Sequence, residues 1–409
     1  MSEHASNSTV RVLILGSTGS IGRQTLEVIA HLNVLAQADP ALNLYEIVGL
    51  SAGKDAQGLL GQAQQWGVRE LALFTGDAVE LGDTTMRIGH DAACRLVEEV
   101  ECDLVVGAIV GIAGLESVYR AVELGIDVAL ANKESLVAGG ALVMAAAKIS
   151  GARILPIDSE HAGVWQCLQS LAGNDYCPPM DTPKGIDRVV LTASGGPFRE
   201  CTRQEVEHAT LDEALNHPNW TMGAKVTIDS ATLMNKALEL IEAHWLFGLE
   251  SSQLDAVIHP QSIVHAMIEC ADGSVMAQMG APDMRSPIQL ALCSPTRLNG
   301  CSKKLDVTKL SNLSFVEIDP QRFPAIGLAI SVIDAGGDAG AWLNAANEAA
   351  VDAFMNQLIP FGMIDQVVAQ VMSEHTVSAI DTLDNIYHAD KQACVRAQAV
   401  IAKFAGSKA

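Results

Sequence analysis

Apolar residues along the first 160 positions come in short runs separated by segments of helical spacing. The runs are VRVLIL at 10–15, YEIVGL at 45–50, LALF at 71–74, CDLVVGAI at 102–109 and DVALA at 127–131. Between them lie patterns such as RQTLEVIAHL, whose apolar positions recur at helical intervals. Strands alternating with helices predict an α/β fold with a Rossmann-like, doubly wound parallel sheet. A last run, ILPI at 154–157, ends abruptly in Asp158, Ser159, Glu160 and His161.

Beyond that point the pattern changes. RVVLTA at 188–193 reads as a strand running into Ser194, Gly195, Gly196 and Pro197. Residues 212–224 have little apolar periodicity and read as a loop able to close over a site. VTID at 226–229 reads as a strand ending at Ser230, a favourable N-cap, with a helix from there to 247. Residues 255–280 read as two strands joined by ADG. Prolines and polar residues over 294–323 mark a linker, and helix-period positions after 324 predict a small bundle. The expected division is a flexible N-terminus at 1–9, a dinucleotide-binding domain at 10–157, and a central α+β catalytic domain at 158–293 with a lid at 212–224. The linker at 294–323 and a C-terminal helical domain at 324–409 complete it.

Composition narrows the function. A chain of 409 residues exceeds one ordinary core, and 49% hydrophobic with 18% charged residues is not the balance of a disordered chain. No apolar run approaches the roughly 20 residues that span a bilayer. The opening MSEHASNSTV has neither a basic region nor an apolar core, so no signal peptide and no membrane attachment are expected. A net charge of -22 excludes a nucleic-acid partner. An anionic substrate must then be met by a few placed lysines and helix N-termini. Nine scattered cysteines without a CxxC pair imply free thiols in a reducing cytoplasm.

Several constellations carry chemistry. Gly16, Gly19 and Gly22 lie between a strand and a helix, where a pyrophosphate can rest on backbone amides, although Thr18 holds the place of the second fingerprint glycine. At the end of the next strand Gly53 is followed by Lys54, which favours NADP, and Asp55, which opposes it. Asn132, Lys133 and Glu134 follow the DVALA strand at its carboxyl end, where ligands gather in such sheets. If ILPIDSEH continues as a strand, its period of two places Asp158 and Glu160 on one side. Two such carboxylates repel unless a cation lies between them, and oxygen donors suit magnesium or manganese. Ser194 beside two glycines is a small anion site or a tight turn. His217 and Trp220 sit on the candidate lid. Asn235, Lys236 and Glu239, spaced by four and three, share one helix face. His259 and His265 read as structural.

Taken together, GSTGSIG, LANKESLV, LPIDSEH, SGGPFR, HPNWTMG, DSATLMNKALE and LNAANE closely resemble the 1-deoxy-D-xylulose 5-phosphate reductoisomerase family. The resemblance runs from about residue 10 to the C-terminus. It implies a homodimer of three-domain subunits that converts 1-deoxy-D-xylulose 5-phosphate to 2-C-methyl-D-erythritol 4-phosphate, the committing step of the methylerythritol phosphate route to isoprenoids. It implies NADPH at Thr18, Gly19, Ser20, Ile21, Gly53, Lys54, Asp55, Asn132, Glu134 and Gly223. It implies a divalent metal (Mg2+, Mn2+ or Co2+) at Asp158, Glu160 and Glu239. The sugar phosphate would meet Lys133, Ser159, Glu160, Ser194, His217, Trp220, Ser230, Asn235, Lys236 and Glu239, with Lys133, Glu160 and His217 as catalytic groups. Burial beside a cation is expected to lower the Lys133 pKa. Asp55 departs from the family's usual asparagine, and Ala193 and Ala237 from glycine. The competing expectations are another NADP-dependent Rossmann dehydrogenase, of semialdehyde or homoserine type, and a non-catalytic NADP-sensing regulator.

Overall fold

The computed structural model describes residues 8–76, 83–220 and 222–406. Most of the expected flexible N-terminus lies outside these residues, and Thr9 already belongs to the first strand. The first region is built from β1 (Thr9–Leu15), α1 (Ser20–Ala38), β2 (Leu44–Ala52), α2 (Ala56–Trp66), β3 (Glu70–Leu73), β4 (Thr85–Ile88), α3 (Ala92–Glu99), β5 (Leu104–Gly107), α4 (Leu115–Glu123), β6 (Asp127–Leu130), α5 (Lys133–Ser150) and β7 (Ile154–Pro156). The strands form one parallel sheet in the order β4-β3-β2-β1-β5-β6-β7. Their centres are fully buried, as Val12 to Leu15 and Val105 to Val106 illustrate, which accounts for continuous apolar runs in place of alternation. The order reverses at β1 and β5, and ligands bind at the carboxyl ends beside such a switch point.

The ILPIDSEH stretch is an irregular strand terminus at the junction of the first two regions and does not continue as a strand. β7 stops at Pro156, and Asp158 is the N-cap of α6 (Ser159–Ala172), its carboxylate accepting the Ser159 N–H at 3.0 Å. The period-two argument therefore does not apply. The acids share a site because one caps the helix and the other lies in its first turn. An acidic cap is favoured there by the unsatisfied amides of the helix start.

The central region continues with β8 (Ile186–Ala193), α7 (Arg203–Val206), α8 (Leu211–Leu215), α9 (Ala224–Ala231), α10 (Met234–Phe247), β9 (Leu254–Ile258), β10 (Val264–Cys270), β11 (Val275–Met279) and α11 (Arg285–Cys293). VTID is helical, inside α9, and not the expected strand. The helix expected from Ser230 onward is two helices, broken at Leu233, which has φ +59°. Residues 255–280 hold three strands in place of two: β10 and β11 form the hairpin around ADG, while β9 pairs in parallel with β8. Their mixed sheet runs β11-β10-β8-β9. Part of the candidate lid, α8, is helical and carries a Thr210–Glu213 capping box.

After an irregular segment come α12 (Ala325–Ala335), α13 (Ala339–Met355), α14 (Ile364–Ser373) and α15 (Leu383–Gly406). One continuous apolar core joins all three regions. Gly340 shows how close they come: a Cβ there would overlap the Val137 carbonyl oxygen of α5. Among the described residues no helix is long and apolar enough to cross a membrane.

Candidate active site

A cavity of about 780 Å³ opens between the glycine turn of the parallel sheet and the α6, α9 and α10 side of the central region. Its acidic pole is set by two helix starts. Asp158 is the N-cap of α6, Glu160 lies in its first turn, and Glu239 comes from the second turn of α10. One carboxylate oxygen from each lies within 4.8 Å of the others. Three like charges so close repel, and two ammonium groups now balance them. Lys133 Nζ is 2.9 Å from Asp158, 3.2 Å from Glu239 and 2.8 Å from the Asn235 side-chain oxygen. Lys236 Nζ is 2.7 Å from Glu160 and also bonds Glu239. A cluster of hard carboxylate oxygens that already needs cationic charge fits a divalent ion.

Facing these carboxylates, both lysines stay charged. Burial alone depresses Lys133, but the surrounding carboxylates of Asp158, Glu239 and Glu242 outweigh it and hold the ammonium well above its ordinary value. Lys236 is raised in the same way by Glu160 and Glu239 against its burial. Asp158, half-buried, is pulled, against the cost of desolvation, below the usual carboxylate range by Lys133 and His161. Glu239 moves the other way, raised by burial and by the neighbouring charge of Glu160.

Beside the acids lies a cluster of small donors. Gly195 and Gly196 both have positive φ, and Gly196 N donates to Ser194 Oγ at 3.1 Å. A Cβ on Gly196 would lie 2.6 Å from the Ser230 carbonyl oxygen, so glycine lets this turn close on α9. Ser194 Oγ is thereby brought within 3.5 Å of Ser230 Oγ and 2.8 Å of His217 Nε2. The break at Leu233 turns the chain so that Asn235 and Lys236 stand in the first turn of α10, near Ser230 at the end of α9. Hydroxyls, amide, ammonium and a helix N-terminus on one wall form an anion site.

The histidine's tautomer follows from its partners. His217 Nδ1 accepts the backbone N–H groups of Asn219, at 3.2 Å, and Trp220, at 2.9 Å. The ring proton therefore sits on Nε2 and is donated to Ser194 Oγ. Burial, followed by the charge of Arg199, pushes this histidine down to about 4, so it is neutral near pH 7. The loop that carries it is tied across the cavity mouth by Asn219 Nδ2, which donates to the Pro260 carbonyl at 2.6 Å and to Ser262 Oγ at 2.9 Å.

Every residue expected to meet metal or sugar phosphate lines this one cavity, including Ser159 and Trp220. On the dinucleotide side Gly19, Ser20, Ile21 and Gly223 line it, whereas Thr18, Asn132 and Glu134 do not. Gly19 is the N-cap of α1, whose first turn has no acid and no side-chain cap, which fits a pyrophosphate. Gly53, Lys54 and Asp55 follow β2 outside the lining. The Asp55 carboxylate caps α2 by accepting Gly58 N at 2.9 Å, a role asparagine fills equally well, so the cap does not explain the departure from asparagine. Reading the sequence missed Lys225, Ser262, His265 and Met284, all in the lining. Lys225 and Asp229 form an i,i+4 pair that shows only once 224–231 is known to be helical.

Comparison with known proteins follows the same outline. Family models for 1-deoxy-D-xylulose 5-phosphate reductoisomerase match residues 12–140 and, for its C-terminal domain, 154–247; a DXP reductoisomerase C-terminal domain model matches 279–396. The 1-deoxy-D-xylulose 5-phosphate reductoisomerase of Pelotomaculum thermopropionicum is 46% identical over 396 residues, covering 93% of this chain and 96% of that protein. That of Symbiobacterium thermophilum is 45% identical over 393 residues, covering 93% and 96%. A crystal structure of DOX-P reductoisomerase with NADPH, fosmidomycin and magnesium superposes with a TM-score of 0.85 at 37% identity, covering 96% of this chain and 98% of that one. The Zymomonas mobilis enzyme in complex with NADPH gives 0.83 at 35%, covering 97% and 99%.

Proposed function

The chain belongs to the 1-deoxy-D-xylulose 5-phosphate reductoisomerase family, and we infer that it converts 1-deoxy-D-xylulose 5-phosphate to 2-C-methyl-D-erythritol 4-phosphate with NADPH. The observation that carries this reading is the meeting, in one cavity, of three carboxylates, an anion site and the glycine turn of a Rossmann-like sheet. Neither another Rossmann dehydrogenase nor a cofactor sensor accounts for the carboxylate triad beside the anion site.

The cofactors are NADPH and a divalent metal. Asp158, Glu160 and Glu239 are the residues we assign to the metal, with Mg2+, Mn2+ or Co2+ suited to their oxygens. Thr18, Gly19, Ser20, Ile21, Gly53, Lys54, Asp55, Asn132, Glu134 and Gly223 are those we assign to NADPH. When bound, the ion supplies Lewis acidity to the substrate's carbonyl and neighbouring hydroxyl oxygens, and NADPH supplies the hydride. Ser194, Ser230, Asn235, Lys236 and His217 hold the phosphate. That grip keeps the two fragments of a retro-aldol cleavage together for recombination. Lys133, through Nζ, and Glu160, through its carboxylate, are the two groups we assign to proton transfer. With Asp158, Glu160 and Glu239 holding a divalent ion, the Lys133 and Lys236 ammonium groups would be free to face substrate oxygens. Trp220 covers the cavity and excludes water during the rearrangement.

The division at 10–157, 158–293 and 324–409 is the working domain assignment. A homodimer is supported by β11, an edge strand with Val275 and Met279 exposed. A cytoplasmic location is supported by nine free cysteines. The test is NADPH oxidation on addition of 1-deoxy-D-xylulose 5-phosphate to metal-stripped protein, with and without magnesium or manganese. Oxidation that requires the metal is expected. Turnover surviving exhaustive EDTA treatment would refute the metal assignment, and no turnover in any condition would refute the activity.

A further inference from the structure

A buried polar chain crosses all three regions away from the carboxylate triad. It begins on α13, where Asn347 Nδ2 donates to Asp229 Oδ1 at 2.8 Å. Asp229 Oδ2 is 3.2 Å from Lys225 Nζ, which donates to Glu134 Oε1 at 3.0 Å. The second oxygen of Glu134 accepts from Asn132 Nδ2 at 2.9 Å, and that amide also donates to the Gly111 carbonyl at 3.0 Å. Asn347 is 0%, Asp229 1%, Glu134 4% and Asn132 2% exposed, and only Lys225, with 17% of its side chain exposed, meets the cavity. A further carboxylate, Glu348, faces the same ammonium and is held by Asn344 at 3.2 Å.

Lys225 is thus the cation shared by carboxylates from three regions. Burial alone would depress it, but Asp229, Glu134 and Glu348 together hold it well above its ordinary value. Burial pushes Glu348 up to about 6 even with Lys225 opposing the shift. Its place in the chain makes the junction consequential. Lys225 is the second residue of α9, directly after the lid at 212–224, and it lines the cavity. Glu134 and Asn132 belong to the start of α5, where Asn132 is the N-cap and accepts Ser135 N at 3.0 Å. LNAANE, which the catalytic site leaves unused, supplies the α13 end of the chain.

We propose that Lys225, clamped between Glu134 and Asp229 and tied through Asp229 to Asn347, is a positioning residue. It fixes the Asn132 and Glu134 edge of the dinucleotide half against the end of the lid, so that α13 contributes to NADPH affinity without touching the cofactor. The coupling rests on the NADPH assignment above, and the control below separates the two.

The test is a double-mutant cycle read as the NADPH dissociation constant from cofactor fluorescence, with folding followed by circular dichroism. It compares wild type, Lys225→Met, Asn347→Ala and the double variant, with Lys225→Arg as the conservative change. Each of the first two single variants is expected to weaken NADPH binding by about 5-fold or more. The double variant is expected to bind no more weakly than Lys225→Met, because the link is already cut, and Lys225→Arg to restore most of the affinity. Wild-type affinity in folded Asn347→Ala, or losses that simply multiply in the double variant, would overturn the coupling. Should Lys225→Met fail to fold, Asp229→Asn replaces it in the cycle under the same criteria. A wild-type protein that binds no NADPH would overturn the functional reading, and the coupling with it.

Discussion

His217 shows how much of a residue's role depends on partners no local pattern reveals. Its position beside Pro218 and Trp220 fits simple packing equally well, but two backbone N–H groups on Nδ1 leave Nε2 as a donor aimed at Ser194. His217→Ala should raise KM for the sugar phosphate by about 10-fold, the loss of one or two buried hydrogen bonds, while leaving metal affinity near wild type. An unchanged KM would remove His217 from the phosphate site. His265, read from sequence as structural, is buried in the cavity wall and pushed down to about 4 by its burial and by Lys236. An unfolded histidine takes its proton near 6.5 and this one near 4, so between those values the unfolded state binds more protons. The neutral ring's contribution is therefore complete above about pH 6.5 and is lost as pH falls toward 4, on the order of 1–3 kcal/mol. His265→Asn should flatten the fall in Tm over that window, and an unchanged slope would contradict the assignment. Asn235, Lys236 and Glu239 were legible because spacings of three and four put them on one face of a helix, whereas Asp158 and Glu160 were paired by a strand periodicity that the structure replaces with a helix start. Lys225 was not, because β-branched VTID looks like a strand and hides its pairing with Asp229.

At the scale of elements, the parallel sheet was readable because strands buried on both faces leave continuous apolar runs. The site-bearing elements were not. VTID has strand-forming residues, but in the fold Ile228 and Thr227 are buried on a helix, so tertiary packing overrode local propensity. ILPIDSEH ends its strand at Pro156 because Asp158 is a better N-cap than a strand residue. The close approach of α13 to α5 is equally invisible in sequence, since it depends on Gly340 meeting a carbonyl from 203 residues earlier. Gly340→Ala should lower stability by about 1–3 kcal/mol through overpacking, seen as a lower urea midpoint. Because α13 carries Asn347, the same variant should weaken NADPH binding. Unchanged stability would mean that α13 can shift without consequence.

At the scale of the molecule, an acidic chain handles an anionic substrate by concentrating its few cations. Lys133, Lys236 and Lys225 all line one cavity, each balanced by carboxylates, while the remaining surface keeps its negative charge. The arrangement splits the work between a dinucleotide half, built by the glycine turn of the sheet, and a metal and substrate half, built by α6, α9 and α10. Glu160→Gln, assayed for turnover and for NADPH dissociation constant on the same preparation, tests that split most directly. Turnover is expected to fall by about 100-fold or more, with the NADPH constant within about 3-fold of wild type. A loss of NADPH affinity as large as the loss of rate would contradict it.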